Sequence, residues 1–420
     1  MEMSKRKVAV IGGGAAGIVA AIEAADSGAE VTIFERNDRI GKKILATGNG
    51  KCNLSNMKMD SSCFHTMDKE KLEACLENFG VEDTLKFFEK LGLMIKNKND
   101  YLYPASEQAA VVLDVLRIGV LKRNIRVKTE CKVTEIRSIQ KAGNNTKRGS
   151  ECFAVSFDKE KEYFDKVIIA SGSKAAPKTG SDGSGYELAK NLGHNIISVV
   201  PSLVQLKCSD GFCKSLAGIR AEACVHICED GQEICREAGE VQLTDYGISG
   251  IPVFQLSARV NRKLLDKKHG VITAVIDFMP GMTEESFSAF RNSRMKQMDI
   301  VTVEEFFTGM LNKKLMMLFI KQAGLNPAAK AASVPKKQLE KVFEFCRGLV
   351  FHIIGNNGFE NAQVCAGGVD LREVTQDLES KKVLGLFFAG EILDVDGRCG
   401  GYNLQWAWTS GVIAGRGVCK

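Results

Sequence analysis

The chain has 420 residues, of which 45% are hydrophobic and 26% charged, with 41 Gly and 7 Pro. This composition is typical of globular proteins and excludes disordered, collagen-like and fibrous classes, and the length predicts two or three domains. No apolar run reaches the roughly 18 residues that a membrane span needs. Lysine and arginine exceed aspartate and glutamate by 57 to 51, but the basic residues are spread along the chain, so nucleic acid is not the expected partner.

Fourteen cysteines are present, and the densest cluster lies between positions 208 and 235. No C-x2-C pair occurs in that cluster, and Cys224, His226 and Cys228 alternate as residues of a strand do, so scattered or buried thiols are expected rather than a metal site. The first residues lack the apolar stretch and the cleavage site of a signal peptide. We therefore expect a cytoplasmic protein with free thiols.

The first 35 residues have the pattern of a βαβ unit. Residues 7–11 are a short apolar run that predicts a strand, and a glycine-rich turn follows at 12–17. Residues 18–27 are rich in alanine and helical in character, and 29–34 predict a second strand that ends at Glu35.

Periodicity and turn residues predict the next elements. Apolar residues at helical spacing indicate helices near 69–79, 81–91 and 106–122. Extended runs indicate strands at 125–136, 153–157 and 166–170, with a polar hairpin loop at 140–151.

The composition changes near residue 199, where short β-like runs separated by glycines begin and continue to about 282. Helical signals follow to about 347, then strand character at 351–369 and 383–388, and a last helix from about Gln405. The predicted fold class is α/β, with a Rossmann-like domain built from both chain ends, an inserted β-rich, barrel-like domain and a helical insert. The expected boundaries are 1–197 with 373–420, 198–282 with 349–372, and 283–348.

The glycine-rich turn is a G-x-G-x-x-G motif, and its strand, helix and acidic residue are all present. Gly12 permits the tight turn, Gly14 lets the backbone approach a pyrophosphate, and Gly17 allows the helix to pack closely on the strand. The helix N-terminus favours a negative charge, and the Glu35 carboxylate is placed to accept a hydrogen bond from a ribose hydroxyl. The motif therefore predicts a bound dinucleotide.

Four segments resemble flavoproteins of the two-dinucleotide-binding-domain group, and within it the BaiN-like (YhiN) family of NAD(P)/FAD-dependent oxidoreductases. They are residues 41–56 (GKKILATGNGKCNLSN), 171–186 with 193–194, 246–252 (YGISGIP), and 366–369 with 389–404 (AGEILDVDGRCGGYNL). Together they extend over nearly the whole chain in the order that the family has. Members of the family often have His before the Gly-Ile-Ser-Gly turn, where this chain has Asp245-Tyr246.

The resemblance implies that the first site binds FAD, without a covalent link. Residues 47–50 offer flexible backbone to ribitol or phosphate, and 390–391 could approach the same groups. The turn before the last helix is expected to direct free N–H groups and the helix dipole at the flavin pyrimidine, which stabilises charge on the reduced ring. The full set of expected cofactor residues is Gly12, Gly14, Ala15, Ala16, Gly17, Glu35, Arg36, Lys43, Thr47, Gly48, Asn49, Gly50, Asn53, Val133, Ala170, Ser171, Gly172, Gly390, Glu391, Gly401, Asn403 and Leu404.

Two patterns of related enzymes are missing from the sequence. Disulfide reductases of this architecture use a C-x4-C pair beside the flavin, but Cys52 has no partner at that spacing, and the pair Cys208 and Cys213 lies in the inserted β region. No second G-x-G-x-x-G motif follows a strand, so there is no dedicated NAD(P)H domain. NAD(P)H, if it is the electron donor, must dock transiently at the flavin.

The catalytic acid or base is not determined by the sequence. Tyr402, Arg398 and Tyr246 are candidates for donating a proton or holding an oxyanion, and each is alternatively a packing or cofactor residue. His194 ends a predicted helix and is expected to be structural. Cys399, like Cys52, is expected to be a small filler beside the flavin.

The family resemblance implies hydride transfer between flavin N5 and a carbon, in the reduction of an activated C=C bond of a 3-oxo-Δ4 steroid or bile-acid-like small molecule. Two alternatives stay open. One is an oxidase or dehydrogenase of amines or amino acids, and the other is a flavin-containing RNA-modifying protein. The second is suggested by the net charge of +6 and by lysines that alternatively form a solvated helix face, namely Lys313, Lys314, Lys321, Lys330, Lys336 and Lys337.

Overall fold

The computed structural model describes residues 5–140, 151–297 and 301–420. Most of the predicted hairpin loop, residues 141–150, lies outside these ranges. The chain divides into two compact units, which we call unit 1 (Met1–Pro201 with Gln363–Lys420) and unit 2 (Ser202–Ala362).

A parallel sheet of five strands forms the centre of unit 1, in the order β20-β11-β1-β2-β7. Its strands are β1 (Lys7–Ile11), β2 (Glu30–Phe34), β7 (Arg126–Lys128), β11 (Lys166–Ile169) and β20 (Leu386–Phe388). Val10 in β1 pairs with Ile168 on one side and with Ile33 on the other. The chain proceeds outward from β1 in both directions, so the carboxyl ends of β1 and β11 form the crevice where sheets of this kind bind ligands. The predicted Rossmann-like α/β fold is confirmed.

Helices and short sheets complete unit 1. The helices are α1 (Ala15–Asp26), α2 (Lys69–Asn78), α3 (Val81–Lys90), α4 (Ala109–Lys122), α5 (Ser184–Asn191) and α13 (Tyr402–Gly417). A three-stranded sheet consists of β8 (Val133–Gln140), β9 (Glu151–Phe157) and β10 (Glu160–Phe164), and a second of β3 (Ser55–Asn56), β5 (Ile95–Lys98) and β6 (Tyr101–Pro104). Two strand pairs are β4 (Phe64–His65) with β21 (Asp396–Gly397), and β12 (Ile196–Ser202) with β19 (Val364–Val369).

The last helix of the chain packs along the first. A Cβ on Gly411 of α13 would lie 2.6 Å from the carbonyl oxygen of Ala16, and one on Gly415 would lie 2.5 Å from that of Ala20. The two glycines and the two alanines are each four residues apart, so they occupy one face of their helices. Small side chains on both faces therefore bring the two backbones into close contact.

Unit 2 contains a closed barrel in the order β13-β16-β15-β14-β17-β18. Its strands are β13 (Leu206–Cys208), β14 (Arg220–Glu229), β15 (Gln232–Thr244), β16 (Gly247–Gly250), β17 (Ile272–Asp277) and β18 (Leu349–Asn356). The helices are α6 (Cys213–Leu216), α7 (Ile251–Leu265), α8 (Glu284–Arg294), α9 (Val303–Phe307), α10 (Lys313–Gln322), α11 (Lys336–Arg347) and α12 (Gly358–Asn361).

The helical insert and the barrel share one hydrophobic core, in which Phe319 and Phe343 of the helices join Phe351 of the barrel. They therefore form one unit, where the sequence suggested two. The predicted strand at 351–369 consists of two strands in different units, because β18 closes the barrel and β19 pairs with β12. Residues 363–372 consequently belong to unit 1.

The predicted strand at 125–136 is also interrupted. β7 joins the parallel sheet beside β2, whereas β8 pairs with β9 in an antiparallel sheet. Glu130 lies between them with a φ of 53°, a left-handed conformation that ends a strand. Within the described ranges, no helix combines the length and the apolar character that crossing a bilayer requires.

Candidate cofactor site

The glycine-rich turn has the backbone geometry that the motif predicts. Gly12 has a φ of 105°, and a Cβ there would lie 2.5 Å from the carbonyl oxygen of Ala170. A Cβ on Gly17 would lie 1.9 Å from the carbonyl oxygen of Gly12, so helix and strand touch. Only glycine fits either position.

Gly14 differs from its two neighbours in the motif, because a Cβ there would have no heavy atom within 4 Å. It is the N-cap of α1, it makes no side-chain cap hydrogen bond, and the first turn of the helix, with Ala15 and Ala16, contains no acidic residue. The N–H groups of this turn have no partner within the helix, and the helix dipole adds positive potential. The turn therefore fits a phosphate group.

Glu35 is 7% exposed, and both of its carboxylate oxygens accept hydrogen bonds. Its Oε2 accepts from the Gly13 N–H at 2.9 Å, and its Oε1 accepts from the backbone N–H and the Nδ2 of Asn37, both at 2.8 Å. A carboxylate oxygen accepts two hydrogen bonds, so Oε2 retains capacity for a ribose hydroxyl. Asn37 also donates to the Thr179 carbonyl at 3.0 Å, a contact that the sequence did not reveal.

Arg36 forms an ion pair with Asp182, and Lys132 Nζ lies 3.0 Å from the same carboxylate oxygen. Burial alone would raise the pKa of Asp182, but hydrogen bonds from Ser184 and the two cations hold it well below its usual range. The Arg36 guanidinium therefore pairs with the Asp182 carboxylate in this structure. Its expected contact with the cofactor stays a prediction.

The loop at 42–50 leaves helical geometry in its second half. Gly48 and Asn49 have φ values of 56° and 54°, and Gly50 has a φ of 82°. The Thr47 hydroxyl donates to the Ile44 carbonyl at 2.6 Å, which holds the start of this bend. The buried Oδ1 of Asn53 has no hydrogen-bond partner. An unsatisfied buried acceptor costs free energy, so Asn53 fits a donor on a bound ligand.

Glu391 connects three separate segments of unit 1. Its Oε2 lies 2.8 Å from Lys43 Nζ, and its Oε1 accepts from the Ser173 hydroxyl at 2.7 Å and from the Cys365 N–H at 3.0 Å. This network links the loop at 42–50 to the residues that follow β11 and β20.

Residues 170–172 follow β11 at the crevice. The Ala170 N–H donates to the Ile11 carbonyl at 2.8 Å, and Gly172 has a φ of 73°. The buried Ser171 hydroxyl has no partner and is available to a ligand. Val133 is buried at the start of β8, where it pairs with Phe157.

Gly390 lies against the first turn of α1. A Cβ there would be 2.7 Å from Ala16 Cβ, and its φ is 78°. Its N–H donates to the Ser410 hydroxyl at 2.8 Å, and its carbonyl accepts from Trp406 Nε1 at 3.2 Å. The end of β20, α1 and α13 therefore meet at this residue, beside the glycine-rich turn.

The N-terminus of α13 has the same character as that of α1. Gly401 is the N-cap with a φ of 97°, no side chain caps it, and the first turn has no acidic residue. Asn403 accepts from the Gly397 N–H and donates to the Gly397 carbonyl, both at 2.8 Å, which anchors the preceding loop. Leu404 is half-buried against the core of unit 1. Asn403 thus has a structural role that the sequence did not reveal.

The candidate proton donors belong to different segments of the chain. Tyr402 is 9% exposed, its hydroxyl donates to the Lys58 carbonyl at 3.2 Å, and burial raises its pKa. Arg398 follows β21, and its N–H donates to the Cys63 carbonyl at 2.9 Å. Tyr246 belongs to unit 2, in the turn between β15 and β16.

His194 is buried in unit 1, with Nδ1 3.0 Å from Glu373 Oε2 and Nε2 2.8 Å from Ser380 Oγ. Burial lowers the pKa of His194 in spite of the nearby Glu373. Burial also raises the pKa of the Cys52 thiol to about 11 and that of Cys399 to about 12. Neither thiol is ionised near neutral pH, so neither is an activated nucleophile.

Three residues near α13 were missed by the sequence reasoning. Gln405 and Trp408 lie just after the motif at 389–404, where Gln405 bonds to Ser55 and Trp408 to the Leu54 carbonyl. His65 lies opposite Asp396 in the β4–β21 pair, with Nδ1 3.5 Å from the buried Asp396 Oδ2. No residue pattern indicates these contacts, because each of them joins segments that are more than 300 positions apart.

The chain matches the model of the HI0933-like protein Rossmann domain over residues 6–417. It belongs to this family. It is 42% identical over 417 residues, 99% of both chains, to a 3-dehydro-bile acid delta(4,6)-reductase of Clostridium scindens. It is 28% identical, over 96% of this chain and 95% of the relative, to a ribosomal RNA dihydrouridine synthase of Haemophilus influenzae.

A solved structure with the same fold is a 3-ketosteroid-delta4-(5alpha)-dehydrogenase from Rhodococcus jostii, with a TM-score of 0.50 and 17% identity. The match covers 100% of this chain and 98% of that chain. Membership of the HI0933-like family confirms the resemblance that the four sequence segments indicated.

Proposed function

We propose that this protein is an FAD-dependent reductase that reduces a C=C bond conjugated to a carbonyl group, in a steroid or bile-acid-like small molecule. The observation that carries the proposal is the 42% identity to the bile acid delta(4,6)-reductase over 99% of both chains. Under this proposal the protein is an oxidoreductase that acts in the cytoplasm.

The residues present in unit 1 fit a bound dinucleotide. The open Gly14 backbone and the first turn of α1 suit a pyrophosphate, and Glu35 retains acceptor capacity for a ribose. Ser171 and Asn53 have buried oxygens without partners, which a ligand would satisfy. FAD, when bound and first reduced by an electron donor such as NAD(P)H, would supply the hydride that an activated C=C bond accepts.

The N-terminus of α13 would contribute to this chemistry electrostatically. Its N–H groups are uncapped, and no acidic side chain lies in its first turn. Positive potential there favours negative charge on a neighbouring ring. Arg398 and Tyr402 remain the candidates for protonating the second carbon, and the Tyr402 hydroxyl donates to the Lys58 carbonyl at 3.2 Å.

A second candidate reaction is the reduction of a pyrimidine in RNA. It is favoured by the 28% identity to the ribosomal RNA dihydrouridine synthase over 96% of this chain. Dihydrouridine is uridine reduced at its C5=C6 bond, which is also conjugated to a carbonyl. The two candidates therefore share one kind of chemistry and differ in the size and charge of the substrate.

The first experiment is the visible spectrum of the purified protein, followed by anaerobic addition of NADH and then of NADPH. Bleaching of an oxidised-flavin spectrum by one nucleotide would establish the cofactor and the electron donor. A protein that neither contains nor binds a flavin would overturn the proposal. Bleaching by an amine or amino acid instead would favour the oxidase alternative.

The substrate is then identified by reoxidation. Reduced enzyme is mixed anaerobically with a panel of 3-oxo-Δ4 and 3-oxo-Δ4,6 steroids and, separately, with unmodified ribosomal RNA. Reoxidation by a steroid supports the first candidate and reoxidation by RNA the second. RNA retention that does not change from low to moderate salt would also count against RNA as substrate.

A further inference from the structure

Two segments that are expected to contact the flavin are tied together by buried hydrogen bonds. One is the loop that ends at Asn53 and continues into β3, and the other is the start of α13. The Ser55 hydroxyl donates to Gln405 Oε1 at 2.6 Å, and Trp408 Nε1 donates to the Leu54 carbonyl at 2.9 Å. Asn56 Nδ2 donates to the Gly400 carbonyl at 3.0 Å.

The contact between β3 and the start of α13 is so close that only glycine fits at position 401. A Cβ on Gly401 would lie 2.6 Å from the carbonyl carbon and oxygen of Ser55. β3 and the N-cap of α13 are therefore in backbone contact. Any change in the position of β3 must be accompanied by a change at the helix N-terminus.

Gln405 is held rigidly on its other side. Its Nε2 donates to the Thr84 hydroxyl at 2.8 Å and to the Thr409 hydroxyl at 3.0 Å, and Thr409 in turn donates to the Phe79 carbonyl at 2.8 Å. Gln405, Ser55 and Thr409 are fully buried. A satisfied buried network of this kind specifies one arrangement, because a displaced member would leave an unpaired polar atom.

We propose that Gln405 is a positioning residue for the flavin. Through Ser55 it sets the spacing between the 47–53 loop and the N-terminus of α13, so that both segments contact one ring system. Gln405 itself need not touch the cofactor. The inference rests on the proposed function, since it concerns the site of the same cofactor.

The test measures FAD binding separately from folding. Apoprotein of Ser55→Ala and of Gln405→Met is titrated with FAD, and the dissociation constant and the flavin spectrum are recorded beside the melting temperature without flavin. We expect about tenfold weaker FAD binding for each variant, in line with the loss of a buried hydrogen bond. The double variant should bind FAD no more weakly than the weaker single variant, because both lose the same bond.

The control is Ser380→Ala, which removes a buried 2.8 Å contact with His194 in the same unit, together with the hydrogen bonds that the Ser380 hydroxyl accepts from the Lys382 and Val383 N–H groups. It should lower the melting temperature at least as much as Ser55→Ala does and leave the FAD dissociation constant unchanged. Equal FAD affinity in wild type and Ser55→Ala would overturn the inference while leaving the proposed function intact. Failure of the wild-type apoprotein to bind FAD would instead overturn the proposed function.

Discussion

Lys43 Nζ lies 2.8 Å from Glu391 Oε2, although 348 positions separate the two residues. The pair is partly buried, with side-chain exposures of 26% and 20%. It joins the loop at 42–50 to the end of β20, and both segments belong to the expected cofactor site. The neighbouring Lys42 also has an acidic partner, Asp38, but at 3.3 Å and on the surface.

The difference between these two lysines gives the first prediction. Lys43→Met should destabilise the protein by about 1 kcal/mol and weaken FAD binding, because a partly buried carboxylate loses its cation. Lys42→Met should change both quantities by less, since exposed pairs contribute little. Urea unfolding and FAD titration check this, and equal effects of the two substitutions would contradict it.

Gly14→Ala should separate cofactor binding from folding. The φ of Gly14 is −81°, which alanine adopts readily, and its Cβ would meet no atom of the protein. The apoprotein should therefore melt within about 2 °C of wild type, whereas the new methyl group should weaken FAD binding at least tenfold.

Gly211→Ala is the matched control for this substitution, because a Cβ there also has open space. It lies in unit 2 and should alter neither quantity. Unchanged FAD affinity in Gly14→Ala would show that the cofactor does not approach this turn.

His194 predicts a pH dependence of stability. Burial lowers its pKa in the folded state, so the unfolded chain binds more protons near and below pH 6.5. Its contribution should hold above that pH and diminish as the pH falls through about 6.5. The neighbouring charged groups are Glu373 and Lys382, whose Nζ lies 2.7 Å from Glu373 Oε1.

The measurement is the urea midpoint of unfolding at pH values from 5 to 8. Wild type should lose stability between pH 7 and pH 5, and His194→Gln should lose less over the same range. In spite of burial, Lys382 and the Asn195 N–H hold the pKa of Glu373 below its usual value, so the contribution of this carboxylate is lost only at pH values more acidic than those at which His194 acts. Parallel curves for the two proteins would exclude His194 as the cause.

Gly411→Ala should destabilise unit 1 by about 1–3 kcal/mol, although alanine favours helices more than glycine does. The added methyl group would meet the Ala16 backbone at 2.6 Å, and backbone cannot move aside. Gly119→Ala on α4 is the control, since its nearest neighbours are the flexible ends of Ile22 and Leu91. Thermal unfolding should show a large decrease in melting temperature for the first variant and a small change for the second.

Local residue patterns predicted the βαβ unit, the glycine-rich turn and most helices, because these elements depend on spacing within a few residues. The interruption between β7 and β8 was missed because it depends on which sheet each strand joins, and the extended residues on both sides look alike in sequence. The helical insert was separated from the barrel for a similar reason. Its shared core with Phe351 is visible only in three dimensions.

In the candidate site, too, the local motif was predictable from the sequence and the long-range contacts were not. The motif residues Gly12 and Gly17 have the geometry that their spacing predicts. The partners of Glu391, and the bond from Ser55 to Gln405 across 350 positions, have no periodic signal. Such polar contacts follow from the closure of the fold around both chain ends.

The contact of α13 with α1 has a consequence for synthesis on the ribosome. Unit 2 is a continuous stretch, whereas unit 1 needs β20 and α13 from the last part of the chain. Unit 2 can therefore fold while the polypeptide is still emerging, and the face of α1 that packs on α13 must wait for a partner made hundreds of residues later. This face of α1 thus stays uncovered until translation is nearly complete, which is the interval in which a chaperone would protect it.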